Sequence, residues 1–114
     1  EAGFQLQHYR PAFTRALSES FASLTSKQRL LLRLDVLEGL HDGEIATIYG
    51  VHRTTALRWI DKAVDDLMAG AKRRLAAELS LERAELESLA RDFASQLDLS
   101  LGRILLETQA SAGA

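Results

Sequence analysis

The segment from Asp42 to Trp59, DGEIATIYGVHRTTALRW, leaves the chain the fewest choices of fold. Ile45 and Tyr49 stand four residues apart and share one helix face. Gly50 follows at once, where a helix stop calls for a residue that accepts a positive φ. Val51 plugs the turn, and a second apolar set opens at Ala56, Trp59 and Ile60. Ala46 is small where the two helices must approach closely. A short helix, a glycine-containing turn and a second helix make the unit that lays one helix in the major groove of DNA.

The chain has 114 residues, 46% hydrophobic and 26% charged, which argues for one domain. Proline occurs once and aromatic residues make up 6%, so an all-α fold is expected. No apolar run approaches the roughly 18–20 residues of a membrane span, and no signal-peptide pattern is present. Cysteine is absent, which excludes disulfides and thiolate metal sites. These features point to a cytoplasmic protein. The first residue is Glu rather than Met, so a piece of a longer chain is expected. The formal net charge of −2 counts against a strong, free-standing DNA binder. Nucleic-acid affinity is mostly phosphate neutralisation by Lys and Arg, so something else must hold such a domain on DNA.

In chain order, residues 1–9 read as the end of a linker. Pro11 suits a first helical turn, and Phe13, Leu17, Phe21 and Leu24 give a first helix over about 10–23. Thr25 and Gln28 fit a capping box. They open a second helix with Leu30, Leu31, Leu34 and Leu37 inward and Gly39 at its end. A short third helix spans 42–49, capped by His41 or Asp42. The fourth starts near Arg53 and buries Ala56, Ile60, Ala63, Leu67, Ala71 and Leu75. Its pattern continues to Leu79, with Gly70 as a weak point of about 1 kcal/mol against alanine. Ser80 is expected to cap a fifth helix that turns Leu86, Leu89, Phe93 and Leu97 one way. Asp98 to Ser100 interrupts or restarts that helix. Leu101, Ile104 and Leu105 form a last apolar patch. The expected organisation is a four-helix helix-turn-helix domain over 10–70, with a three-helical core of winged-helix-like type. A C-terminal helical arm over 71–107 and a disordered tail over 108–114 follow.

The stretch LTSKQRLLLRLDVLEGLHDGEIATIYGVHRTTALRWIDKAVDDL resembles the fourth domain of bacterial RNA polymerase sigma factors, more narrowly the extracytoplasmic-function group. The resemblance is carried by Leu24 and Arg29, Glu38-Gly39-Leu40, Glu44-Ile45-Ala46, Gly50-Val51, Thr55, and Ala63 with Leu67, together with the Phe13–Leu17–Phe21 helix upstream. It covers roughly residues 10–70. It implies recognition of the −35 promoter element in double-stranded DNA while the domain is docked on the flap of the polymerase core, with an anti-sigma factor as a regulatory partner. There are departures. The family commonly caps both helices of the unit with Ser or Thr, where this chain has His41 and His52. Trp59 is bulkier than the usual aliphatic residue. The arm beyond residue 70 is similar to the C-terminal helical extensions that a subset of the family carries.

The outward positions at the start of the fourth helix are His52, Arg53, Thr54, Leu57, Arg58 and Asp61. Arginine can bond guanine O6 and N7 in a bidentate manner, worth about 1–3 kcal/mol of discrimination. Arg53 reaches deepest, and Arg58 meets a base edge or a phosphate. Thr54 and Thr55 suit a thymine methyl or a phosphate oxygen. Leu57 either touches thymine methyls or packs under the helix. His52 suits a cap or a phosphate contact, and the helix N-terminus adds its own pull on phosphate. Lys62 would run along the backbone, with Lys27 and Arg29 as phosphate candidates from the second helix. Tyr49 and Trp59 read as core, and Lys72-Arg73-Arg74 as a solvated basic face or else a contact with polymerase, with DNA or within the chain. His8, His41 and His52 lack ligand spacing, and no catalytic constellation or phosphate loop is visible, so neither an enzyme nor a cofactor is expected.

Two other readings share these features. The DNA-binding output domain of a response regulator has the same Leu-Thr opening and Glu-Ile-Ala helix, although the helix from Pro11 and the long arm fit it less well. A helical interaction module is the third, because the stripe Leu86, Leu89, Phe93 and Leu97 must be covered. Cover from within the chain is expected, with exposure marking a protein interface otherwise.

Overall fold

A 27-residue helix, Arg53–Leu79, runs through both apolar cores of the molecule and positions everything else. The structure is a computed structural model that describes the backbone of residues 2–113 and the side chains of residues 8–97 and 99–107. It is all-α. The helices are α1 (Ala2–Ser23), α2 (Ser26–Leu32) with a π-helical turn at Arg33–Leu37, α3 (Asp42–Tyr49), α4 (Arg53–Leu79), α5 (Arg83–Ala94) and α6 (Leu97–Gly113), and no strand occurs among the described residues. None of these helices is long and apolar enough to cross a membrane.

The smaller core holds Leu31, Ile45, Ala46, Ala56 and Ile60. The larger one gathers Phe13, Leu17, Phe21, Leu32, Leu67, Leu75, Leu89, Phe93, Leu101 and Leu105, among others. The first two turns of α4 serve the smaller core and the remainder serves the larger. All six apolar positions read along α4 are buried. Helix α2 lies between the cores, and this overturns part of its expected pattern. Leu31 faces one core and Leu32 the other, while Leu30 is 46% exposed and Leu34 and Leu37 are half-buried. A helix serving two cores has no single stripe. The π turn shifts the register further, with Glu38 N–H bonding to Arg33 O.

Several boundaries differ from the expectation. Helix α1 begins at Ala2, so the segment expected to be a linker is helical and Pro11 lies inside the helix. Proline removes one backbone bond there, and the surrounding Ala, Leu and Gln favour the helix on both sides. Ser80 does not cap α5. It takes the left-handed conformation (φ 52°) that closes α4, donating its N–H to Ala76 O. Glu82 starts α5 instead, in a capping box with Glu85. The break between the last helices falls at Ser95 and Gln96, ahead of Asp98. Helical backbone continues to Gly113 where a frayed tail was expected, since no proline intervenes.

The arm stripe is covered within the chain, chiefly by α1. Phe93 is fully buried and stacks on Phe13, with centroids 4.0 Å apart and planes within 3°. Helix α6 packs on α1 and on the π turn after α2. Polar ties border these contacts, including Arg10 to Gln96 (2.9 Å) and ion pairs Arg15–Glu78 and Lys72–Glu87. Lys72 holds the Glu87 carboxyl below its ordinary range, first by hydrogen bonding and then by its charge.

Candidate nucleic-acid interface

The unit Asp42–Trp59 is closed by its own backbone. Gly50 sits at φ 67°, ψ 36°; its N–H bonds to Thr47 O (3.2 Å) and that of Val51 to Ala46 O (3.0 Å). This pair of bonds satisfies the last carbonyls of α3 and reverses the chain, while Val51 packs on the smaller core. A Cβ on Gly50 would meet nothing within 4 Å. The need for glycine is therefore conformational, and Gly50→Ala is expected to cost about 1 kcal/mol, with Asn tolerated better. Chemical denaturation of the two variants checks this.

Both helices of the unit start on an imidazole. His41 Nδ1 accepts from Glu44 N–H (3.3 Å), and Glu44 returns the bond to His41 N–H (3.1 Å). His52 Nδ1 accepts from Thr54 N–H (3.1 Å). These rings replace the Ser or Thr that the resemblance leads one to expect, and each satisfies one orphan donor.

His52, Arg53, Thr54, Leu57 and Arg58 are exposed along the first turns of α4. Leu57 is 42% exposed, so it faces outward rather than packing under the helix. Thr55 is half-buried on the shoulder of α4. No ion pair or hydrogen bond is made by the Arg58 side chain among the described residues. Arg53 is engaged: its Nη1 donates to Asp42 Oδ2 at 3.2 Å, across the turn.

The basic residues separate into two groups. Lys27, Arg58 and Lys62 come together around a groove of about 230 Å³ between α2 and α4, whose apolar lining is Leu31 and Trp59. The Lys27 ammonium lies 3.3 Å from the centre of the Trp59 ring, a cation–π arrangement that holds its charge at the groove. Lys62 pairs with Asp66 (3.2 Å). The Asp66 carboxyl is held below its ordinary range first by the Gln28 amide and then by Lys62. Arg29 does not join this group. Its guanidinium turns back onto Ala22 O and Leu24 O at the end of α1, closing that helix. Arg29 thus has a structural role at the end of α1, apart from the cluster formed by the other cations. Tyr49 and Trp59 meet edge to face at 5.7 Å and are half-buried rather than fully core.

Two features were missed by sequence reasoning. One is the cation–π contact of Lys27, which depends on how α2 packs against α4. The other is the Asp42–Arg53 pair, whose signal was an acid opening one helix and a base opening the next across a tight turn. Leu75, Leu89, Phe93, Leu101, Ile104 and Leu105 of the arm belong to the larger core, whereas the candidate interface stands on the smaller one. No family model, curated protein or solved structure matches the chain.

Proposed function

We propose that this chain is the promoter-recognition domain of a bacterial RNA polymerase sigma factor of the extracytoplasmic-function type. It lays the first turns of α4 in the major groove of the −35 element while docked on the polymerase flap. The observation that carries the proposal is the outward row His52, Arg53, Thr54, Leu57 and Arg58. That row stands at the start of a helix fixed to α3 by the Gly50 turn and by a core of its own. Bases are read by such a face, and Lys27 and Lys62 beside it would meet phosphates and set the register. The net charge of −2 fits a tethered reader better than a free repressor. Polymerase supplies the effective concentration that the few cations do not.

Reconstituted transcription with core polymerase and the full gene product tests this. Arg53→Ala and Arg58→Ala are each expected to lower promoter-directed initiation about tenfold, the discrimination of one base contact. Their thermal melting should stay close to wild type, because both side chains are exposed. Undiminished initiation in both variants would remove the DNA face from α4.

A further inference from the structure

We propose that Asp42 is a specificity-setting positioning residue, which locks Arg53 so that the free edge of its guanidinium meets one particular guanine. The inference rests on the DNA reading above and adds a residue that does not itself touch a base. The Asp42 carboxylate is held through both oxygens: Oδ1 accepts from Gly43 N–H (3.1 Å) and Oδ2 from Arg53 Nη1 (3.2 Å). It lies in the first turn of α3, where the helix dipole favours an anion. Its side chain is only 22% exposed, while that of Arg53 is 67% exposed. The anchor is thus fixed and the anchored group is open. A Cβ on Gly43 would crowd the His41 ring at 3.2 Å but would meet Arg53 Cδ only at ordinary contact distance, 3.8 Å, so the Arg53 stem passes close beside the start of α3.

With Nη1 occupied, Nε and Nη2 remain as the two parallel donors that match guanine O6 and N7. An exposed ion pair of this kind contributes little to folding. Its consequence is positional, because a long side chain ordered before binding loses less freedom when it binds. A carboxylate near DNA has a second possible effect, which is to repel phosphate equally on every sequence. The two effects separate experimentally: positioning changes discrimination, whereas repulsion changes affinity uniformly.

The test is selection, by the full gene product held on core polymerase, from a pool of promoter duplexes with randomised base pairs in the −35 element, at low ionic strength to strengthen phosphate contacts, followed by sequencing of the bound fraction. Wild type is expected to enrich guanine at one position, and Arg53→Ala to flatten that position. Asp42→Ala should flatten the same position about tenfold with total binding equal to wild type or higher. Asp42→Asn, which keeps an acceptor for Gly43 N–H, should do the same and guards against loss of the start of α3. In an Arg53→Ala background, Asp42→Ala should cause no further flattening. Full guanine preference in both Asp42 variants, with uniformly tighter binding, would overturn the assignment and leave Asp42 as a phosphate competitor. A wild-type pool without any enriched position would instead overturn the DNA reading itself.

Discussion

Phe93→Ala is expected to cost about 3–5 kcal/mol, the range for truncating a fully buried phenylalanine. Phe93 has no exposed surface and lies flat on Phe13, itself fully buried in α1. A near-parallel stack at 4.0 Å gains little from ring quadrupoles. The stabilisation comes from apolar area removed from water, and the cavity left by alanine adds to the loss. Small domains are stable by about 5–15 kcal/mol in total, so this one change would remove a large part. Urea denaturation followed by circular dichroism measures it, with Leu99→Ala as a control. Leu99 is 80% exposed on α6 and its truncation should change stability by less than about 0.5 kcal/mol. Equal midpoints for the two variants would show that the arm is not packed on α1. The same packing means that removing residues 80–114 would strip Phe13 of its cover, so such a truncation tests stability before it tests regulation.

Gly70→Ala should destabilise the protein by about 2 kcal/mol, although helix propensity alone predicts a gain of about 1 kcal/mol. The sign is set by space. A Cβ at position 70 would fall 2.2 Å from Ser20 Oγ and 3.1 Å from Ser20 Cβ. The hydroxyl is not free to swing away, because Ser20 is buried and its Oγ donates to Leu67 O at 2.7 Å. Overpacking of this kind costs about 1–3 kcal/mol or more, and a displaced hydroxyl also loses its hydrogen bond. Introducing Gly70→Ala into a Ser20→Ala background removes the worst overlap and should recover much of the loss. A thermodynamic cycle on the four proteins measures the coupling. Additive effects would mean that α1 and α4 do not approach as closely as the structure has them. The glycine that reads as a weak point in α4 sits where α1 leaves no room for a side chain.

Legibility followed the length and regularity of each pattern. The stripe from Ala56 to Leu75 repeats over five turns, and one missed position could not have disguised it. Capping is readable where donor and acceptor are close in sequence, as at Thr25 with Gln28 and at His41 with Glu44. Ser80 is ambiguous in sequence, because serine suits both a helix start and a polar stop. The choice fell to Glu82 and Glu85, which form the capping box two residues later. At the candidate interface, exposure of Arg53 and Arg58 follows from helical phase alone. The partners of the basic side chains do not follow from it: Asp42 for Arg53, the Ala22 and Leu24 carbonyls for Arg29, and the Trp59 ring for Lys27 all lie outside the helix that carries the cation.

Local chemistry along the chain determined that it forms helices, where the Gly50 turn reverses it, and which face of α4 stays in water. Each of these depends on groups within a few residues of one another, through backbone hydrogen bonds and the 3.6-residue period. The tertiary structure alone decided that α2 divides its leucines between two cores, that α1 covers the arm, and that Lys27 lies over the Trp59 ring. Those outcomes turn on distances between segments far apart in sequence, which burial and packing set only when all the helices are in place.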